Sequence, residues 1–239
     1  MNRQLQKMLE ILYPRHCPVC HEIVKAHGAL ICPGCRKKLL PIREPICKKC
    51  GKPIADPAQE YCEDCRTRRH LYTRGRAALL YTGEIKESVC RMKFHNKREY
   101  IDFYGAYMAE ILGKKILEWG AQALIPVPLH RSKLRRRGFN QAELLAREIG
   151  RALGIPVRPD IVQRVRKTKP QKELLYRERQ NNLKGAFKIS QYDVKLKKIV
   201  LVDDIYTTGS TVDEIAGRLL EQGAKEVYFV SLCIGKDDG

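Results

Sequence analysis

Apolar and polar residues alternate along the chain after residue 75 in a way that predicts strands and helices. Short apolar runs predict strands at residues 76–81, 123–127, 198–203 and 225–232. Apolar residues recur at helical spacing in the segments between them, which predicts helices at residues 84–94, 100–119, 141–153 and 211–222. Strands that alternate with helices are typical of an α/β fold, in which a mostly parallel sheet is covered on both faces. Ligands of such sheets bind outside the carboxyl ends of the strands.

Before residue 75 the main feature of the chain is the regular spacing of its cysteines. Eight of the ten cysteines form four Cys-x-x-Cys pairs. Their positions are Cys17, Cys20, Cys32 and Cys35, followed by Cys47, Cys50, Cys62 and Cys65. The second set repeats the first at an offset of 30 residues, so the pattern indicates an internal duplication.

Each half of this repeat supplies the four thiolates of a closed tetrahedral zinc site. The simplest assignment gives one ion to the first four cysteines and one to the last four, although spacing alone also permits a crossed pairing. Disulfides are the alternative, and they are disfavoured by the paired Cys-x-x-Cys geometry and the absence of an export signal. We expect two structural zinc ions, which would fold a region that has few large apolar residues.

The remaining cysteines and the nearby histidines are not assigned to metal. Cys90 and Cys233 lie in apolar-periodic surroundings and are predicted to be packed side chains. Three histidines flank the first cysteine pairs but are left out, because eight thiolates already satisfy two ions. They are His16, His21 and His27.

The start of the chain predicts an amphipathic helix over residues 1–15, with apolar residues at Leu5, Met8, Leu9 and Leu12. It lacks the apolar core and cleavage site of a signal peptide, and no apolar run approaches the ~20 residues of a membrane span. We therefore expect a soluble, cytoplasmic protein. The domains predicted after this helix are a cysteine-rich unit at residues 16–70 and an α/β unit at residues 76–239.

Two adjacent carboxylates, Asp203 and Asp204, follow the apolar run that begins at Ile199. A turn rich in hydroxyl groups comes next and leads into a helix; it consists of Thr207, Thr208, Gly209, Ser210 and Thr211. Backbone N–H groups and the helix dipole at such a turn bind phosphate, while paired carboxylates suit the vicinal hydroxyls of a sugar. The pattern therefore predicts a sugar-phosphate site.

Two further classes of site carry acidic residues at the end of a strand. A Walker B aspartate requires a GxxxxGK[ST] loop, and the chain has none. A receiver-type acidic pocket requires most of a domain after the pair, whereas 35 residues follow Asp204. A purely structural turn, in which Ser210 or Thr211 caps the helix, stays open.

Residues 199–211 closely resemble the phosphoribosyl-pyrophosphate signature of type I phosphoribosyltransferases. Together with the cysteine pairs, several further motifs resemble the ComF (late-competence, amidophosphoribosyltransferase-like) family. These are Lys93-Phe94 and residues 126–131, 137–141 and 182–187. The resemblance implies a double zinc ribbon ahead of a type I phosphoribosyltransferase-like sheet flanked by helices, and a role in DNA uptake during natural transformation.

The resemblance also implies residue roles. Asp203 and Asp204 would hold the ribose 2′- and 3′-hydroxyls, and Thr207 to Thr211 would bind the 5′-phosphate. The pyrophosphate loop would consist of Val127, Pro128, Leu129, His130 and Arg131, followed by a basic, mobile segment at residues 133–140. Mg²⁺ would enter with phosphoribosyl pyrophosphate. Arg131 and the cluster of Arg135, Arg136 and Arg137 would neutralise the leaving pyrophosphate, although this cluster equally suits nucleic-acid phosphates or a solvated surface. No nucleobase hood is evident, which leaves the acceptor open.

The net charge of +19 favours a polyanionic partner. Residues 131–198 hold 20 Lys and Arg against 6 Asp and Glu, although such runs are often no more than solvated surface. Three functions remain open. The first is a protein that senses phosphoribosyl pyrophosphate and binds single-stranded DNA with residues 131–198 and the zinc ribbons, beside proteins of the uptake machinery. Phe139, Tyr176 and Phe187 are candidate stacking residues, although each is at least as well explained as a core side chain. The second is an active Mg²⁺-dependent phosphoribosyltransferase whose acceptor, a base or an amine, is not identified by the sequence. The third is a zinc-ribbon adaptor for other proteins.

Overall fold

The computed structural model describes residues 14–26, 28–168, 182–190 and 196–235. Some predictions fall outside these ranges. They are the helix of residues 1–15 as far as residue 13, and the residues His27, Tyr176, Arg177 and Arg179.

A four-stranded parallel sheet forms the centre of the fold, with the strand order β1-β6-β5-β2. The strands are β1 (Gly75–Leu80), β2 (Ala123–Pro126), β5 (Lys198–Tyr206) and β6 (Glu226–Ile234). This confirms the predicted parallel sheet. Strand β5 runs three residues further than predicted, because its pairing with β6 continues from Asp203 opposite Ser231 to Tyr206 opposite Ile234.

A small antiparallel pair stands beside the main sheet and was not predicted. It consists of β3 (Val162–Arg164) and β4 (Phe187–Ile189). Strands of three residues are too short for apolar alternation to show above the background of a basic segment.

Seven helices accompany the strands in the described residues. They are α1 (Pro33–Lys38), α2 (Glu63–Thr67), α3 (Gly83–Phe94), α4 (Tyr100–Glu118), α5 (Arg131–Arg137), α6 (Gln141–Leu153) and α7 (Ser210–Glu221). The four helices predicted after residue 75 correspond to α3, α4, α6 and α7. Helix α5 was not predicted, and it takes up most of the segment expected to be basic and mobile.

Alternation along the buried strands builds one core on each face of the sheet. Val200 and Val202 of β5 face the core formed with α3, α4 and α6. Ile199 and Leu201 face the opposite core, formed with α7 and β4. A strand that is apolar on both faces is expected in a sheet covered on both sides.

The two halves of the cysteine-rich segment pack against different faces of the sheet. Cys17, Val19 and Cys35 of the first half belong to the core that contains α4. Cys47, Cys50 and Cys62 of the second half belong to the core that contains α7. Each half therefore has its apolar residues in a core that it shares with the α/β unit.

The same segment covers the outer edge of the sheet at β1. The Ile42 N–H donates to the Ala78 carbonyl at 3.1 Å, and the Gly75 N–H donates to the Lys49 carbonyl at 2.7 Å. The opposite edge, at β2, is paired with the chain near Val157.

Candidate functional site

The eight cysteines gather into two groups in the described residues, one of Cys17, Cys20, Cys32 and Cys35 and one of Cys47, Cys50, Cys62 and Cys65. Within each group the sulfur atoms lie within 4.8 Å of one another, which suits four ligands around one zinc ion. The predicted pairing is therefore the one adopted, and the crossed pairing is not. Cys233 is fully buried and Cys90 is half-buried, and neither belongs to a group.

The predicted duplication is visible in the backbone. The Cys17 N–H donates to the Glu22 carbonyl and the Cys47 N–H to the Lys52 carbonyl, a pair of bonds 30 residues apart. The bridges His16 to Ile23 and Ile46 to Pro53 are likewise 30 residues apart. The two knuckles thus share one fold, which the equal cysteine spacing predicted.

The two described histidines near the first cysteine group contact other side chains and not the cysteine sulfurs. His16 Nδ1 is 3.2 Å from Lys97 Nζ, and His21 Nδ1 is 3.1 Å from the Tyr100 hydroxyl. Neither is among the clustered ligands. This agrees with leaving both out of the ligand set.

The candidate phosphate loop lies between the end of β5 and the first turn of α7. Gly209 adopts φ +80° and precedes Ser210, the first residue of the helix. The hydroxyls of Thr208 and Ser210 are 3.1 Å apart. Together with Asp203 and the end of β5, the turn lines a small cavity of about 30 Å³. Helix α7 is 12 residues long. Its N-terminus has hydroxyl donors and free space in front of it and is therefore suited to bind an anion.

Residues that follow the second cysteine group support this loop from behind. His70 Nδ1 lies 2.7 Å from Asp213 Oδ2 in the first turn of α7, and the Leu71 N–H donates to Asp213 Oδ1 at 2.8 Å. The hydroxyl of Tyr72 lies 2.7 Å from that of Tyr206. Sequence reasoning missed His70 and Tyr72, because nothing local marks a residue whose partner lies more than 130 positions away.

Asp204 is 4% exposed and has one free carboxylate oxygen. Its Oδ1 accepts from Lys93 Nζ at 2.8 Å, whereas its Oδ2 is buried with no hydrogen-bond partner among the described residues. A buried carboxylate oxygen without a donor is costly, and a ligand that donates a hydrogen bond would remove that cost.

Asp203 is partly exposed, and its Oδ1 accepts from the Asp204 N–H at 2.8 Å. Burial and the neighbouring charge of Asp204 raise the pKa of Asp203 to about 7, while the cations Lys93 and Arg164 oppose the shift. A cation or a set of hydrogen-bond donors bound here would favour the ionised carboxylate.

Cations from three separate elements interact electrostatically with the two aspartates. They are Lys93 of α3, Arg137 of α5 and Arg164 of β3. Burial lowers the pKa of both Arg137 and Arg164, and the aspartates oppose that shift. Arg164 was missed by sequence reasoning, since it lies in a strand that was not predicted.

The candidate pyrophosphate loop follows β2. Val127 is buried and its carbonyl accepts from Asn140 Nδ2 at 3.1 Å, which ties the loop to the start of α6. His130 caps α5 through Ser132, and Arg131 is exposed at the first position of that helix. Arg131 lines a cavity of about 420 Å³ between this loop and β3, and Arg164 lines the same cavity. Of these two arginines, Arg164 interacts electrostatically with Asp203, and Arg131 belongs to the loop that follows β2.

Two of the candidate stacking aromatics are core residues. Phe139 is 7% exposed and Phe187 is 3% exposed. Each has an arginine over its ring, Arg98 and Arg164 respectively. A buried ring offers no face to a nucleobase, so of the two alternatives for Phe139 and Phe187 the structure supports the core side chain and not the stacking residue.

Comparison with known proteins follows the same division of the chain. Residues 8–66 match the model of the double zinc ribbon domain, and residues 134–239 match that of the phosphoribosyl transferase domain. The chain is 33% identical to DNA utilization protein YhgH of Salmonella typhimurium over 91% of its own length and 89% of that protein. It is 31% identical to competence protein ComFC of Bacillus subtilis over 81% and 79% of the two chains. It is 42% identical to competence protein F of Haemophilus influenzae over 46% of this chain, a match that spans about half of that protein.

These matches define the class as a type I phosphoribosyltransferase-like fold that carries a double zinc ribbon, as the fold and the two cysteine groups indicate. The chain belongs to the ComF family of competence and DNA utilization proteins. Among the described residues, no helix has the length and apolar character needed to cross a membrane.

Proposed function

We propose that this protein binds phosphoribosyl pyrophosphate at the carboxyl end of β5. Asp203 and Asp204 accept hydrogen bonds from the ribose hydroxyls, and the turn from Thr207 to Thr211 holds the 5′-phosphate. The observation that carries the proposal is Asp204 Oδ2, a buried oxygen near the end of the strand that leads into the phosphate loop, for which the described part of the chain supplies no donor. A sugar hydroxyl is the group that would satisfy it while the phosphate occupies the helix N-terminus.

Mg²⁺ accompanies the ligand in this proposal. Mg²⁺ usually takes most of its oxygen ligands from phosphates and water and few from the protein. Asp203, the partly exposed carboxylate of the pair, would hold it, and the bound ion would neutralise part of the pyrophosphate charge. On the protein side, Arg131 and His130 of the loop and Arg164 of β3 face the cavity where that polyanion would lie.

The same site is suited to group transfer. Displacement of pyrophosphate at the anomeric carbon passes through an oxocarbenium-like state, and fixed cations around the leaving group lower its barrier. The cavity of about 420 Å³ beside the loop would hold the leaving pyrophosphate, and its apolar lining includes Leu134 and Val162. Phosphoribosyl transfer is the reaction we assign to the site if an acceptor reaches the opposite face of the anomeric carbon.

The substitution Asp204→Asn is expected to weaken binding of phosphoribosyl pyrophosphate with Mg²⁺ by at least about 10-fold. Asp204 Oδ2 would accept from one ribose hydroxyl while Oδ1 stays with Lys93, and a hydrogen bond to a charged acceptor contributes roughly 1.5–3 kcal/mol. Calorimetric titration of the zinc-loaded protein measures the effect.

Asp102→Asn is the matched control for this titration. Asp102 is also paired with a cation, Arg15 at 2.9 Å, but lies at the start of α4. The control should bind as the wild type does. Undiminished binding by a folded Asp204→Asn variant would rule out the assigned site.

We further propose that the protein acts with single-stranded DNA in the cytoplasm, beside proteins of the uptake machinery. The excess of cations in residues 131–198 supports this, as do the names of its relatives, which are competence and DNA utilization proteins. Helix α5 carries three consecutive arginines in its last turn. Clustered arginines suit backbone phosphates, which they contact without regard to base sequence.

DNA affinity is expected to fall about 100-fold when monovalent salt rises from about 50 to about 200 mM. Single-strand binding releases about 0.7 counterions per phosphate neutralised, and about five contacts give a fall of this size. Fluorescence anisotropy of a labelled oligothymidylate measures the slope. Affinity that does not change with salt would discard the electrostatic contact.

A further inference from the structure

A cationic cleft lies between the carboxyl end of α3 and helix α5. Its volume is about 450 Å³. The lining residues are Lys93, Phe94, Asn96, Arg135, Arg136, Arg137 and Gly138. None of these is acidic, although one of the four cations, Lys93, is paired with Asp204 behind the cleft.

Phe94 is the one exposed phenylalanine of the five in the chain. It is 57% exposed at the last position of α3, whereas the other four are buried in the two cores. The guanidinium carbon of Arg137 lies 5.5 Å from the centroid of its ring. Because Arg137 lies over one face of this ring, a planar base would stack on the other face, as bases do on exposed aromatic side chains.

The arginines of the cleft differ from those on other helices of this protein. Arg36, Arg147 and Arg218 each form an ion pair with a glutamate. Arg135 and Arg136 have no ion-pair partner among the described residues. Arginines on the other helices are neutralised by a nearby glutamate, as on an ordinary solvated helix face. Within the described part of the chain Arg135 and Arg136 are not, so their guanidinium groups are available to an external anion.

We propose that this cleft binds a nucleotide unit of single-stranded DNA, with the base stacked on Phe94 and the flanking phosphates on Arg135 and Arg136. The inference rests on the proposed function and assigns the place where the strand is held. A single strand is favoured over a duplex because an unstacked base is needed to reach the ring. The cleft volume falls within the range of sites that hold one small ligand.

Lys93 places this cleft next to the proposed sugar-phosphate site. The side chain lines the cleft, and its Nζ is bound to Asp204 Oδ1 at 2.8 Å. A strand held on Phe94 would therefore lie beside the ribose-binding carboxylates.

Fluorescence anisotropy of a labelled oligothymidylate of about 12 nucleotides tests the proposal, with the full zinc-loaded chain. Phe94→Leu keeps an apolar side chain but removes the aromatic face, and it is expected to weaken binding by about 10-fold or more, since stacking on a side chain contributes about 1–3 kcal/mol per base. Phe94→Trp should restore the affinity. Tyr61→Leu removes another exposed aromatic, outside the cleft, and should bind as the wild type does.

Two further readouts make the result specific. Arg136→Gln should reduce the salt slope by about 0.7, the contribution of one phosphate contact on a single strand. An oligonucleotide of abasic sites should bind the wild type and Phe94→Leu equally. Thermal melting establishes that each variant is folded.

Failure of the inference and failure of the proposed function give different results. If the wild type binds the oligonucleotide and Phe94→Leu binds it equally well, the cleft is wrong and DNA binding stands. If the folded wild type binds no oligonucleotide at low salt, the DNA function and the cleft both fall, while titration with phosphoribosyl pyrophosphate still decides the sugar-phosphate site.

Discussion

Loss of zinc from the second cysteine group is expected to abolish binding of phosphoribosyl pyrophosphate, although no cysteine belongs to the ligand site. Cys47, Cys50 and Cys62 share one buried core with Tyr72, Tyr206 and the first turns of α7. Structural zinc contributes about 10–16 kcal/mol in zinc-finger peptides, which is as large as the whole stability of a typical domain. Without the ion, the cysteine-rich segment would no longer pack against this core, and the phosphate loop would lose the contacts that hold it in place.

The duplication provides the matched comparison. Cys62→Ser and Cys32→Ser remove the equivalent ligand from the second and first groups, since the two positions are 30 residues apart. Each variant should lose one zinc ion per chain, measured by elemental analysis. Cys62→Ser should lose affinity for phosphoribosyl pyrophosphate by at least about 10-fold more than Cys32→Ser, because the first group packs in the other core. Equal losses in calorimetric titration would contradict the support of the loop by the second group.

The substitution Gly209→Ala is expected to destabilise the protein by about 2–4 kcal/mol and to reduce affinity for phosphoribosyl pyrophosphate by about 100-fold. Gly209 has φ +80°, and a Cβ at this position would lie 2.6 Å from the Tyr206 hydroxyl and 3.0 Å from His70 Cε1. The neighbours cannot move freely, since each is bound to Tyr72 or Asp213. The turn would therefore shift, and with it the N–H groups in front of the phosphate.

Gly154→Ala separates the cost of backbone strain from the cost of the steric clash at Gly209. Gly154 also has a left-handed conformation, φ +68°, but a Cβ there meets no atom within 4 Å. It should cost about 1 kcal/mol, the backbone cost alone, and leave ligand affinity unchanged. Urea denaturation and calorimetric titration measure both quantities. A Gly209→Ala variant that behaves like Gly154→Ala would show that the loop does not depend on the close contact with His70 and Tyr206.

The features that could be predicted from the sequence are those with a local signal. The period of apolar residues placed β5, β6, α6 and α7 to within a few residues, and the equal spacing of the cysteines indicated the ligand groups. The end of β5 was placed too early, because two adjacent carboxylates are unfavourable in an isolated strand. In the fold, their strand continues because β6 supplies backbone partners.

The features that could not be predicted depend on distant partners. His70 acts on the loop through Asp213, which lies 143 residues away, and Lys93 reaches Asp204 across 111 residues. No local pattern records such contacts. The exposure of a side chain could not be predicted for the same reason. Phe94 and Phe139 both have basic neighbours in sequence, yet Phe94 lies exposed at a helix end and Phe139 lies in the core. Only the assembled fold distinguishes a ring that can stack on a ligand from one that packs inside.

The hydrogen bonds from Ile42 and to Lys49 along β1 have a consequence for solubility. An uncovered outer strand of a parallel sheet presents unpaired N–H and C=O groups, which recruit strands from other molecules. Here the cysteine-rich segment covers that border. We expect a molecule that has lost its metal to expose this strand and to self-associate, so metal-depleted preparations should be handled as aggregation-prone material.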